Sequence, residues 1–181
     1  MTVQNRPLPD GYRGTAETIA EMHRLTLDGV KDDRIIRLAR EIVYEIPWKE
    51  YQSELAAILG WCQQNLRYVR DPVNIERVQH PVVTIFETRS GDCDDLAPAF
   101  SALAGAIGNP WRFRTVSVDP FRPNDFVHVY SLAHNGGVWV PADPTFQRAP
   151  ISWEPQWADL SQRFGVIQSD GVTSRRDWDS A

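Results

Sequence analysis

The chain has 181 residues, enough for one ordinary domain with a buried core. Apolar residues make up 42% and charged residues 24%, a globular balance, and no run of about 18 apolar residues is present to span a membrane. The net charge of −5, with no basic run longer than two residues, excludes the electrostatic footprint of a nucleic-acid binder.

The opening "MTVQNRPLPDGYRG" reads as a loose arm, with Pro7, Pro9, Gly11 and Gly14 against regular structure. It lacks the apolar centre of a secretory signal, so a cytoplasmic location is expected, or a virion were the chain phage-encoded. A helix follows over 15–27, closed by Gly29. In "KDDRIIRLAREIVYEIP", Ile35, Leu38, Ala39, Ile42 and Ile46 recur at helical spacing, Asp32 or Asp33 caps the start and Pro47 ends it. A third helix over 49–66 carries the stripe Tyr51, Leu55, Ile58, Leu59, Cys62 and Leu66. The stretch 67–91 is irregular, with short helical turns expected after Pro72 and Pro81. A helix after Cys93 presents Leu96, Phe100, Leu103 and Ile107 and stops at Gly108 and Pro110. Pro98 lies inside it and has no N–H for the carbonyl of Asp94. Segments 111–118, 125–134 and 137–143 alternate and read as strands. Helices first and an antiparallel sheet after them make an α+β fold. From Phe146 onward no period is evident, although Trp153, Trp157 and Trp178 lie there. Those rings either pack back on the domain or dock on a protein partner.

Chemistry-bearing residues are few. Two cysteines, Cys62 and Cys93, do not make a disulfide framework. The four histidines are scattered, and no CxxC, HExxH or glycine-rich phosphate loop is present, so no metal or cofactor is expected. Cys62 lies on an apolar helix face and reads as core. His134 sits beside a turn, His80 precedes Pro81 and reads as structural, and His23 has no evident partner.

The segment "HNGG" contains Asn135-Gly136, a strong hairpin-turn signal. With those two residues as the loop, His128 falls opposite Asp143 on the same sheet face, with Cβ atoms about 4.5–5.5 Å apart. Were Gly136-Gly137 the loop instead, His128 would face Thr145. Tyr130, Leu132, Trp139 and Pro141 share the face of His128, and Val127, Val129, Val138 and Val140 take the other. An aspartate bonded to one imidazole nitrogen leaves the other as a base. The competing reading of Asp143 is a turn former before Pro144. Cys93, in "SGDCDDLAPAF", stands where a helix start favours the thiolate. Asp92, Asp94 and Asp95 are expected to turn away and cap that helix. Nucleophile, base and orienting acid then follow the logic of the serine-protease triad in a cysteine version, and the Cys93 backbone N–H is a candidate oxyanion donor.

Three quoted stretches, "GDCDDLAPAFSALAGAIGNPWRFRTVSV", "HVY" and "WVPADPT", resemble the transglutaminase-like superfamily. The upstream "LGWCQQNLRYVRDP" is similar to that family's helix before the active-site loop. The resemblance covers roughly residues 50–146. It implies a papain-like α+β core, with a central helix headed by the cysteine and packed on an antiparallel sheet, in a compact bacterial or phage-type member. Carried over, it implies Cys93 as nucleophile, His128 as base and Asp143 as orienting acid, with Tyr68 the candidate side-chain oxyanion donor.

The expected organisation is an N-terminal arm and helices over 1–48, a catalytic core over 49–146 and a C-terminal tail over 147–181 that the site does not need. The expected activity is cysteine-dependent acyl transfer on an amide bond of a peptide or protein, through a thioester. Water as acceptor makes a peptidase or amidase, and an amine makes a transglutaminase; hydrolysis is the safer reading because water is always present. The rival readings are a structural assembly component, as in a phage particle, and a module binding an extended peptide.

Overall fold

The computed structural model describes residues 4–6, 12–71, 76–117, 121, 126–154, 163–168 and 171–172. Its N-terminal half holds β1 (Gln4–Arg6), α1 (Tyr12–Gly29), α2 (Asp33–Ile42), α3 (Tyr51–Asn65), β2 (Arg67–Tyr68) and β3 (Glu76–Val78). A π-helical turn at Val83–Thr88 leads into β4 (Ser90–Gly91) and α4 (Cys93–Ala106). The strands β5 (Trp111–Val116), β6 (His128–Asn135), β7 (Val138–Ala142), β8 (Arg163–Gln168) and β9 (Gly171–Val172) follow. The α+β expectation holds, with element ends moved by a few residues. Asp32 caps α2 by accepting from the Arg34 N–H, while α2 stops at Ile42, short of Pro47. The turn expected after Pro72 falls outside the described residues, as do Trp157 and Trp178.

Helix α4 is the centre of the molecule. Every residue from Asp94 to Ala104 is buried, Pro98 included. The sequence marks only one large apolar face, but Ala97, Ala99, Ala102 and Ala104 fill the others with methyl groups that let neighbouring elements approach all round. On one side α2 contributes Ile35 and Ala39, and α3 contributes Leu55, Ile58, Leu59 and Cys62. The same cluster takes Ala133, Val140 and Ala142 from the sheet. Burying each large aliphatic side chain here stabilises the fold by about 1.5–3 kcal/mol.

The sheet has the order β7-β6-β5-β8-β9, and all its pairs are antiparallel. Here the expected register is corrected. Asn135 pairs with Val138 and His134 with Trp139, so Gly136-Gly137 is the two-residue loop. Both loop residues have positive φ, 58° at Gly136 and 129° at Gly137, and the second value suits glycine alone. Asn135 therefore stays in the strand, where its side-chain amide donates to Gln52. Moving the loop by one residue shifts each cross-strand partner by two, which preserves the faces. His128 and Asp143 become diagonal neighbours on one face rather than directly opposed. Of the valines expected on the other face, Val129 and Val140 are buried, whereas Val127 and Val138 are exposed.

Past Phe146, where the sequence shows no period, the chain returns to the core. Ile151 is buried in the main cluster, and the Ser152 N–H donates to Pro141 O at 2.9 Å. Farther on, β8 pairs with β5. The arm expected over 1–14 likewise includes β1, paired with β3, and the first turn of α1.

Candidate active site

Four hydrogen bonds set α4 and the residues just past it against β6. Ser131 Oγ donates to Ala97 O at 3.0 Å, which uses its one proton, so Ser101 Oγ donates to it in turn at 2.9 Å. Beyond the C-terminus of α4, Asn109 Nδ2 donates to His134 O at 2.9 Å and Asn109 Oδ1 accepts from His134 N at 3.1 Å. Helix and strand thus run alongside in the same direction. Their starts, Cys93 and His128, lie at one end of the layer. Cys93 is half-buried against the cluster of Ile19, Met22, Ala97, Trp111, Phe113 and Val129, and Val129 is the residue after His128.

His128 Nε2 and Asp143 Oδ2 are 2.7 Å apart. The contact survives the register change because a diagonal pair, about 7–8 Å apart, is within reach of an imidazole. It engages Nε2, and Nδ1 is the other ring nitrogen at which an imidazole can exchange a proton. Asp143 is 2% exposed and stands one residue past β7. Its Oδ1 accepts from the Thr145 N–H at 2.9 Å and from Thr145 Oγ1 at 2.6 Å. Asp143 therefore uses one oxygen in the turn and the other in the contact with His128. Phe146 stands edge-on to the His128 ring with centroids 5.8 Å apart, and Trp153 backs Phe146 at 5.1 Å. Trp153 thus packs back on the domain, one of its two expected fates, whereas Thr145 and Phe146 carried no expected role. The one signal was the hydroxyl residue two after an Asp, the spacing of a side-chain-closed turn.

Tyr68 lies beside the loop before Cys93. It pairs with Gly91 in the short parallel ladder of β2 and β4, and the Val69 N–H donates to Gly91 O at 2.8 Å. Burial, and after it the charges of Cys93 and Asp92, raise its phenol above its ordinary pKa against the opposing Arg70. The hydroxyl therefore keeps its proton at neutral pH. Cys62 is fully buried in the α3 stripe, and burial pushes its thiol far up.

The three aspartates do not cap α4 as expected. Asp92 is the N-cap residue but makes no side-chain cap bond. Asp95 turns to Gln79, accepting its backbone N–H and its Nε2 at 2.6 Å each. Gln79 Nε2 also donates to Ser90 O at 3.1 Å, tying the loop before Cys93 to the helix. Gly91 permits this, because a Cβ there would lie 2.3 Å from Asp95 Oδ2. Asp94 is buried, and neither carboxyl oxygen has a hydrogen-bond donor. Oxygens of Asp92, Asp94 and Asp95 lie within 4.8 Å of one another, and they are the group among the described residues whose spacing would suit a cation.

Burial, with the charges of Asp92 and Asp71, lifts the Asp95 carboxyl from 3.8 to about 7 against the Gln79 bonds. Burial and Asp92 also raise Asp94 well above its ordinary value. The folded state thus holds these protons more tightly than the unfolded chain. The resulting stability is complete below about pH 4 and is lost as pH rises toward 7, the reverse of an ion-paired carboxylate. Asp32, lowered to about 2 by Arg34, acts in the opposite sense and only below its unfolded pKa of 3.8. Urea midpoints at matched ionic strength are expected to fall between pH 4.5 and 7.5. Asp94→Asn should flatten that slope and add about 1–3 kcal/mol at pH 7.5, the cost of an unsatisfied buried group. A variant as pH-sensitive and as stable as the parent would refute this.

No helix among the described residues is long and apolar enough to cross a membrane. No curated protein is significantly similar in sequence. Among solved structures, the "Putative Cysteine Protease from Cytophaga hutchinsonii" is 25% identical with a TM-score of 0.50, covering 75% of this chain and 48% of its own. A "putative protease from Parabacteroides distasonis" is 13% identical with a TM-score of 0.56, covering 87% of this chain and 30% of its own. The periplasmic domain of TgpA from Pseudomonas aeruginosa, solved bound to ethylmercury, is 22% identical with a TM-score of 0.49 over 68% of this chain and 49% of its own. This chain thus spans half or less of each of those proteins. The family description "Transglutaminase-like superfamily" matches residues 37–144, from within α2 to just past Asp143. That match takes in more than half of the sequence, together with the helix headed by Cys93 and the strand headed by His128, and by it the chain belongs to the transglutaminase-like superfamily.

Proposed function

We propose that the protein is a cysteine-dependent acyl-transfer enzyme acting on an amide bond of a peptide or protein, with Cys93 as nucleophile, His128 as base and Asp143 as orienting acid. The observation that carries this is the 2.7 Å contact between His128 Nε2 and buried Asp143, at the end of the layer where Cys93 heads α4. The name of the 25% identical Cytophaga hutchinsonii structure adds support. In this reading the Cys93 thiolate attacks the amide carbonyl and a C–S bond forms. The oxyanion is met by the Cys93 backbone N–H and by the protonated Tyr68 hydroxyl. His128 Nδ1 gives its proton to the leaving amine, and the C–N bond breaks. The remaining thioester passes its acyl group to water, deprotonated by the same imidazole, or to an amine. Hydrolysis is the favoured outcome.

Trapping tests the proposal. The protein is incubated with glutamine-containing and generic peptide amides at acid pH, where deacylation slows, and analysed by intact and peptide mass spectrometry. An acyl adduct on Cys93 and none on Cys62 is expected, since burial holds the Cys62 thiol protonated. Iodoacetamide should likewise label Cys93 first. No adduct with any amide, together with equal labelling of the two thiols, would overturn the assignment.

A further inference from the structure

We propose that Thr145 is a positioning residue, holding the Asp143 carboxylate in the one orientation that serves His128. The inference rests on the triad reading above. A carboxylate turns easily about its last torsion, whose preference is broad and two-fold. Burial alone does not fix the plane of the carboxylate against the imidazole. In this chain Thr145 fixes it, because both its N–H, at 2.9 Å, and its hydroxyl, at 2.6 Å, donate to Oδ1. Oδ2 is then the oxygen left for His128, at 2.7 Å. The intervening Pro144, with its fixed φ, sets the tight turn that brings residue 145 back over residue 143. At 2% exposure, Asp143 has little access to water that would replace a lost donor.

The next residue has a second hold on the pair. Phe146 lies edge-on to the imidazole, and its carbonyl accepts from Gln63 Nε2 at 2.9 Å, which anchors this stretch to α3. Thr145 thus sits on a segment tied down on both sides, Asp143 to β6 and Phe146 to α3. Its hydroxyl carries one proton, and that proton is used on Asp143.

The test is the pH profile of Cys93 alkylation by iodoacetamide, followed on the Cys93 peptide for the full chain, with circular dichroism and melting curves for each variant. Thr145→Val keeps the shape and the backbone N–H but removes the hydroxyl. With Oδ2 no longer held on His128, imidazolium is less stabilised and the thiolate forms later. The acid limb should move up by about one pH unit, a roughly tenfold loss of alkylation rate on that limb. Thr145→Ser should restore the parent limb. If Thr145→Val fails to fold, Thr145→Ala carries the same expectation. A folded Thr145→Val with the parent limb, beside an Asp143→Asn whose limb has moved, would overturn the positioning role and leave the triad standing. Parent limbs in both variants would remove the triad reading, and this inference with it.

Discussion

His128→Ala is expected to lower the single-turnover rate of Cys93 acylation by roughly 10²–10⁴, the range that a positioned acid or base contributes. In the proposed reading the substitution removes both the proton carrier at Nδ1 and the cation that favours the Cys93 thiolate. Asp143→Asn should lose less, roughly 10–10³, because the imidazole remains and a thiolate–imidazolium pair partly forms before substrate arrives. In a serine triad, where no such pair forms in advance, the same change costs about 10⁴ in turnover. Stability separates the two variants as well. His128→Ala strips Asp143 Oδ2 of its imidazole partner in a site 2% exposed, a loss of about 1–3 kcal/mol or more. Asparagine keeps the shape and an oxygen that accepts from Thr145. Rapid-quench acylation, with circular dichroism to confirm folding, reads the order directly. A folded Asp143→Asn at full speed reduces the triad to a Cys93–His128 dyad, and a folded His128→Ala at full speed removes His128 from the chemistry.

Truncation after Arg148 is expected to abolish cooperative folding. The cut removes Ile151 from the main cluster, a loss of about 1.5–3 kcal/mol. It removes Glu154, whose Oε1 accepts from Arg114 and, at 2.5 Å, from the Tyr130 hydroxyl. Arg114 has a side chain only 11% exposed, so losing this carboxylate partner costs roughly 3–5 kcal/mol. It also removes β8, turning β5 from an interior strand into an edge with unpaired backbone groups. These terms together approach the whole stability of an ordinary domain, about 5–15 kcal/mol. Thermal melting followed by tryptophan fluorescence and far-ultraviolet circular dichroism tests it. A truncated chain that melts sharply with a reactive Cys93 would show that the residues past Arg148 are dispensable.

Much of the architecture is written in local chemistry. The α3 stripe, the α2 stripe as far as Ile42, the Asp32 cap and a helix beginning at Cys93 follow from apolar period and local signals, and the structure holds each of them. The faces of the hairpin were legible for a related reason. Strand alternation has period two, so His128 and Asp143 share a face whether the loop is Asn135-Gly136 or Gly136-Gly137. The candidate residues on α4, β6 and the turn after β7 were therefore readable as residue types in order along the chain.

Other features depended on contacts distant in sequence. The loop choice turned on a backbone angle that only Gly137 tolerates and on an Asn135 bond to Gln52, a residue far back in the chain. The aspartates after Gly91 looked like helix caps because capping is local and common. Gln79, brought in by β3, took Asp95 instead, and Asp94 was buried without a donor. The segment past Phe146 has no period because it is held residue by residue. Gln63 takes its carbonyls, Pro141 accepts Ser152, and Arg114 and Tyr130 take Glu154. The sequence by itself determined the helices, the sheet faces and which residue types stand at the head of α4 and at either end of the hairpin, since each depends on neighbours within a few positions. Only the tertiary structure decided the strand register, the partners of the buried carboxylates and the return of the C-terminal segment, because each is a choice among donors and acceptors that folding alone brings within about 3 Å.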